Sequence, residues 1–157
     1  MKSKAIFLDR DGVINRKPPD HDYVKSVSEL KLLPGIKSAI KFLKNKSYLS
    51  VVVTNQRGIS LGHFNHDTLA EIHSHIKFID AFYYCHHDYH HQCNCRKPKP
   101  GLILQAASEL NIDLSISHLI GDSQTDIQAA LAAGIKNKNV HLMPTNSPLL
   151  PLLKKIL

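Results

Sequence analysis

The sequence predicts an open α/β fold, with a mostly parallel central sheet and helices on both faces. Three observations carry this. Short apolar runs recur along the chain and read as strands buried on both sides. Segments with helical spacing separate them. Proline at helix starts and glycine at a helix stop mark the junctions. The 157 residues fit a single domain spanning 1–157, long enough to bury roughly 70% of its unfolded surface.

The first apolar run is residues 5–8 (AIFL). An irregular stretch, 15–28, precedes a helical pattern from Pro34 that puts Ile36, Ala39, Ile40 and Leu43 on one face. Residues 49–53 (LSVVV) are the second run. From Asn65, a candidate cap, Leu69, Ile72 and Ile76 recur at helical spacing. Residues 79–84 (IDAFYY), more weakly patterned, lead into a second irregular stretch, 85–100. A helix from Pro100 precedes the fourth run, 117–120 (SHLI). A last helix from Ser123 stops at Gly134, and 139–142 (NVHL) offer a fifth strand. The tail NSPLLPLLKKIL is a candidate packing helix, although its two prolines count against one. Only 45 positions separate Asp9 from Thr54, too few for a large cap domain, so the two irregular stretches must shape any cleft.

The net charge is +7 with histidines neutral, which favours anionic partners. No stretch approaches the ~18 consecutive apolar residues of a membrane span. The start, Met-Lys-Ser-Lys, runs directly into a strand pattern, unlike a secretory signal. The expectation is a cytoplasmic monomer without a membrane partner.

In parallel α/β sheets, ligands bind beyond the carboxyl ends of the strands. Asp9, Arg10, Asp11 and Gly12 follow the first strand, Thr54 and Asn55 the second, and Asp122, Ser123 and Asp126 the fourth. Lys97 stands in the loop after the third. Asp-Gly alone reads as a turn; the four placements together read as phosphoryl transfer. Asp9 can attack phosphorus and form an aspartyl phosphate. Asp11, two positions on, can protonate the leaving oxygen and then activate water. A magnesium ion on Asp9 and Asp122 would relieve repulsion between carboxylates and phosphate. Thr54, Asn55 and Lys97 would hold the phosphoryl oxygens. Asp126 reads as a supporting residue rather than a metal ligand.

All three cysteines lie between positions 85 and 95, in YYCHHDYHHQCNCRKPKP. An odd, tight cluster argues for a metal or reactive thiol rather than disulfides. Cys85, Cys93 and Cys95 with one histidine would make a structural zinc site. Composition leaves His86, His87, His90 and His91 open as the fourth ligand.

With FLDRDGVIN, VVVTNQRGI, CRKPKPG and IGDSQTDIQAA in this order, the chain resembles phosphatases of the haloacid dehalogenase superfamily. The resemblance covers roughly residues 4–143 and is narrowest with the heptose-bisphosphate and histidinol-phosphate phosphatase group. It implies a Rossmann-like fold with Asp9 as nucleophile and Asp11 as general acid and base. Thr54 and Lys97 would stabilise the phosphoryl group, and Arg10, Tyr23, Asn55 and Arg96 would bind substrate. Magnesium would sit on Asp9, Asp122 and the Asp11 carbonyl. Zinc would sit on Cys85, His87, Cys93 and Cys95. HDYV at 21–24 and TNQRGISLGHF are similar to the heptose enzymes, which implies removal of the 7-phosphate of D-glycero-D-manno-heptose 1,7-bisphosphate. Histidinol phosphate or another small metabolite is the alternative. A nucleic-acid-end phosphatase is a third reading, and nucleic acid is not the expected partner. A zinc-stabilised binding module would leave the strand-end carboxylates unexplained. Two positions depart from the group's pattern: Asp22 where glycine is frequent, and Ser123 where lysine is frequent.

Overall fold

A computed structural model describes residues Met1–Leu157. Strands β1 (Lys4–Leu8), β2 (Tyr48–Asn55), β3 (Ala81–Cys85), β4 (His118–Gly121) and β5 (Val140–Leu142) form one sheet. Their order is β3-β2-β1-β4-β5 and every pairing is parallel. Parallel neighbours need crossovers, and helices supply them: α1 (Ile36–Asn45), α2 (His66–Ser74), α3 (Gly101–Glu109) and α4 (Gln124–Ala133). A last helix, α5 (Leu149–Ile156), follows β5.

Alternation along the central strand divides the core. Ile6 and Leu8 pack with Ile36, Ile40 and Leu43 of α1 and with Leu149 and Leu153 of α5. Ala5 and Phe7 pack on the other face with Leu102, Ile103 and Ala106 of α3 and Ala129 and Ala130 of α4. Burial on both faces is why the strands read as unbroken apolar runs.

Local chemistry fixes the helix ends. The Asn65 side chain accepts from the Thr68 N–H at 2.9 Å and starts α2. Ser123 and Asp126 form a capping box at α4, and Gly134 closes that helix at φ +96°.

Two elements differ from the sequence expectation. The third strand begins at Ala81, because Asp80 is diverted into a side-chain clip. Its carboxylate accepts from the Ser50 N–H at 2.8 Å and the Ser50 hydroxyl at 2.7 Å. The tail forms a full helix despite its prolines. Pro148 sits at the cap and Pro151 in the first turn, where an N–H would have no intrahelical acceptor.

Between β1 and β2 lie only a single 3-10 turn, Val27–Glu29, and α1, so no large cap domain covers the sheet. Strand order reverses between β1 and β4, which opens a crevice at their carboxyl ends. No helix is long and apolar enough to cross a membrane.

Candidate active site

Leu8, the last residue of β1, pairs with Val52 on one side and Ile120 on the other. Asp9, Thr54 and Asp122 therefore emerge side by side from three adjacent strands. The Asp9 N–H donates to the Ile120 carbonyl at 3.2 Å and holds the loop to β4. Lys97 reaches in from the loop after β3. Its ammonium lies 2.8 Å from Asp9 Oδ1 and 2.7 Å from Asp126 Oδ1, and donates to the Val53 carbonyl at 2.8 Å. Gly12 turns the loop at φ +98°, and a Cβ there would collide with the Asp122 carboxylate. Glycine is needed at this position on both counts.

The two aspartates of the first motif sit in different fields. Burial pushes Asp9 up to about 7; Lys97 opposes this, while Asp126 and Asp11 add repulsion. Burial works the same way on Asp11. The charge of Arg10 and hydrogen bonds from Asn15, Arg10 and Gln56 outweigh it, holding Asp11 below the usual carboxylate range. Desolvation works against the Lys97 ammonium, yet Asp9 and Asp126 win and raise its pKa. Asp126 thus spends its carboxylate on Lys97 and on the Ser123 hydroxyl, 2.9 Å away.

One expected substrate contact needs correction, and a second residue is engaged within the protein. Arg10 does not reach the cleft. Its side chain is fully buried, with Nη2 and Nε on Asp11 Oδ1 at 2.9 and 3.1 Å and Nη1 on His73 Nε2 at 3.2 Å. It holds Asp11 rather than a ligand. Asn55 lines the cleft, but both ends of its amide clamp the Lys97 backbone: Oδ1 accepts from the Lys97 N–H at 3.0 Å, and Nδ2 donates to its carbonyl at 3.2 Å. Arg96 lines a cavity of about 400 Å³ with Lys97 and Asn55, and its buried Nη1 has no protein partner. Tyr23 stacks on His63 and borders a second cavity, of about 210 Å³, above Asp11.

Several residues were not foreseen. Gln56, fully buried, donates to Asp11 Oδ2 at 3.1 Å and to Thr54 Oγ1 at 2.9 Å. Arg57 pairs with Asp88 at 2.6 Å and lies over the Tyr89 ring at 4.2 Å, with Arg96 over the same ring at 4.4 Å. Lys17 reaches Asp122 Oδ2 at 3.1 Å. Arg57 stands in the TNQRGI stretch just after Thr54 and Asn55, a position that signals it. Lys17 carried no local signal.

The donor sets fit two metals. Oxygens of Asp9, Asp122 and Asp126 lie within 4.8 Å of one another. Asp122 Oδ1 is buried without a partner, a cost that a cation would remove. Lys97 and Ser123 engage both Asp126 oxygens, whereas Lys97 meets Asp9 at Oδ1 and Lys17 meets Asp122 at Oδ2. Asp9 and Asp122 are thus the pair with an oxygen left for a cation, suited in hardness to magnesium.

In the second set, Cys85 Sγ is 3.6 Å from Cys93 Sγ and 3.5 Å from His87 Nδ1, which is 3.2 Å from Cys95 Sγ. Tetrahedral zinc with ordinary bond lengths has ligand–ligand edges of roughly 3.4–3.8 Å. Among the four histidines, His87 is the one that converges with the thiols; His91 Nδ1 instead accepts from the Asp88 N–H. Burial pushes the Cys95 thiol up to about 12, and crowding by Cys85 and Cys93 adds to it. A bound cation would favour the thiolates.

The comparisons agree with this geometry. A curated relative from Pasteurella multocida, 40% identical over 93% of this chain and 84% of that protein, is named D-glycero-beta-D-manno-heptose-1,7-bisphosphate 7-phosphatase. One from Haemophilus ducreyi, with the same name, is 39% identical over 88% of this chain and 82% of its own length. Among solved structures, a D,D-heptose 1,7-bisphosphate phosphatase from B. bronchiseptica, complexed with magnesium and phosphate, superposes with a TM-score of 0.82. It is 31% identical and covers 97% of this chain and 98% of its own. The family model described as haloacid dehalogenase-like hydrolase matches residues 10–140. Sheet order, strand-end carboxylates and kinship thus converge: the chain belongs to the haloacid dehalogenase-like hydrolases.

Proposed function

We propose that this chain is a magnesium-dependent phosphomonoesterase that removes the 7-phosphate of D-glycero-β-D-manno-heptose 1,7-bisphosphate. The observation that carries the reading is the meeting of Asp9, Asp11, Thr54, Lys97 and Asp122 at the ends of adjacent parallel strands, with Lys97 2.8 Å from Asp9. The substrate, with its anomer, is taken from the names of the relatives.

In this reading an Asp9 carboxylate oxygen attacks phosphorus. The bond to the sugar oxygen breaks, and Asp11 gives that oxygen its proton. Asp11 then takes a proton from water, which attacks the aspartyl phosphate and frees Asp9 and inorganic phosphate. Thr54 and Lys97 bind the equatorial oxygens as charge develops. Asp9, Asp122 and the Asp11 carbonyl would hold magnesium, which neutralises phosphoryl charge when bound. Arg96, with its unpartnered buried Nη1, and Tyr23 would contact the sugar or its second phosphate.

Cys85, His87, Cys93 and Cys95 would hold zinc and fix the loop that leads into Arg96 and Lys97. The chain would act as one domain and as a monomer in the cytoplasm; its free cysteines suit a reducing compartment.

The test is turnover with magnesium on a panel of the heptose bisphosphate, histidinol phosphate and a 3′-phosphorylated oligonucleotide, beside Asp9→Asn. Preference for the heptose ester, lost in Asp9→Asn, is expected. No turnover on any ester, or full activity in the variant, would refute the phosphatase. Preference for another ester would refute the substrate.

A further inference from the structure

Lys17 stands in the irregular stretch between β1 and α1, yet its ammonium touches Asp122, 105 positions away. Asp122 is almost wholly buried, with a side-chain exposure of 1%, while that of Lys17 is 39%. The lysine thus lies across the carboxylate from the solvent side. Its root is fixed: the Lys17 N–H donates to Asn146 Oδ1 at 2.8 Å, and the Asn146 N–H donates to the Gly12 carbonyl at 2.9 Å. The tip is held by its ion pair to one carboxylate oxygen, Asp122 Oδ2. Thr145 also donates to that oxygen, at 2.8 Å, and the opposite oxygen faces inward without a partner. The cavity of about 210 Å³ above the active site is lined by both Asp11 and Lys17. A swing of the lysine tip therefore stays within reach of a bound phosphoryl group.

We propose that Lys17 is a resident counter-ion of the divalent-cation site, displaced from Asp122 when magnesium binds and transferred to the phosphoryl oxygens of the substrate. This rests on the magnesium-dependent reading above. An ammonium and a divalent cation on one carboxylate repel each other, so the two compete when no phosphate is present. A phosphate dianion in the cleft gives the displaced ammonium a new partner, and the competition becomes cooperation. Lysine suits such an exchange: its charge is compact and its stem flexible, where arginine is a rigid fork.

The two halves have opposite signs, which makes them separable. Magnesium is titrated calorimetrically into wild-type protein, Lys17→Gln and Lys17→Arg without substrate. Inorganic phosphate is then titrated at saturating magnesium. Lys17→Gln should bind magnesium roughly three- to tenfold more tightly than wild type, and phosphate more weakly by a similar factor. Lys17→Arg, which keeps the charge, should stay near wild type for magnesium. Equal or weaker magnesium binding by Lys17→Gln, or unchanged phosphate binding, would overturn the exchange while leaving the phosphatase intact. A wild-type protein that binds no magnesium would overturn both.

Discussion

Acidification should destabilise this protein in part through His73, and replacing that histidine should remove that part of the effect. His73 is 8% exposed and its ring stacks on Phe82 at 4.4 Å. Arg10 Nη1 approaches its Nε2 at 3.2 Å. A guanidinium has donors only, so Nε2 must accept, and the ring is neutral with its proton on Nδ1. Burial, then the Arg10 charge, depress the His73 pKa to about 3, with Asp11 opposing. The unfolded chain titrates near the ordinary ~6.5. Below that value the unfolded state takes a proton that the folded state refuses until about 3. Stability is therefore full above ~6.5 and declines as pH falls. Integrated between about pH 7 and pH 5, the loss is about 2 kcal/mol. His73→Gln keeps an acceptor for Arg10 and removes the titration. Urea unfolding at both pH values gives a double difference between wild type and variant, from which the other buried histidines and metal release cancel. The expected double difference is about 2 kcal/mol. Equal acid destabilisation of the two proteins would refute the neutral, buried Arg10–His73 pair.

Three further outcomes follow from the site. Arg57→Ala removes a cation that pairs with Asp88 and covers Tyr89; KM should rise roughly three- to tenfold with kcat within about twofold, and an unchanged KM would place Arg57 outside the substrate's reach. Stripping zinc with a chelator should lower the melting temperature by roughly 5 °C or more and reduce kcat/KM together with it; an unchanged melt would show that the thiol cluster is not structural. Magnesium affinity should rise about tenfold between about pH 6 and pH 8, because the Asp9 carboxyl, raised by burial to about 7, must lose its proton to bind the ion. Calorimetry at both pH values checks this, and a flat profile would mean that Asp9 is already ionised without metal.

The framework of this site was legible because strand ends are marked locally. Asp9, Thr54 and Asp122 each follow an apolar run, and the parallel fold brings such ends together whatever lies between. Lys97 was legible less directly, from the loop that follows the third strand, and the cysteine loop from composition. What escaped was set by contacts that no local pattern encodes. Arg10 meets His73 across 63 positions and Lys17 meets Asp122 across 105. The resemblance implies Arg10 as a substrate contact. Its burial and its two side-chain partners exclude that. Asn55 illustrates the same limit: a polar residue at a strand end also clamps the backbone of Lys97, 42 positions away.

The two aspartates of the first motif are shifted in the order opposite to their proposed roles. Where two carboxylates differ in pKa, the raised one ordinarily acts as the acid. Here Asp9, the proposed nucleophile, is raised and Asp11, the proposed acid, is lowered. The charge around them explains why. Four carboxylates, Asp9, Asp11, Asp122 and Asp126, share three cations, Arg10, Lys17 and Lys97. Arg10 serves Asp11 alone among them, whereas Asp9 shares Lys97 with Asp126. A divalent cation between Asp9 and Asp122 acts on the deficient side and favours an ionised nucleophile. A phosphate dianion beside Asp11 acts in the opposite direction and favours a protonated acid. In the proposed reading, metal and substrate together would therefore work against the resting order, each moving one carboxylate toward the protonation state its proposed role requires.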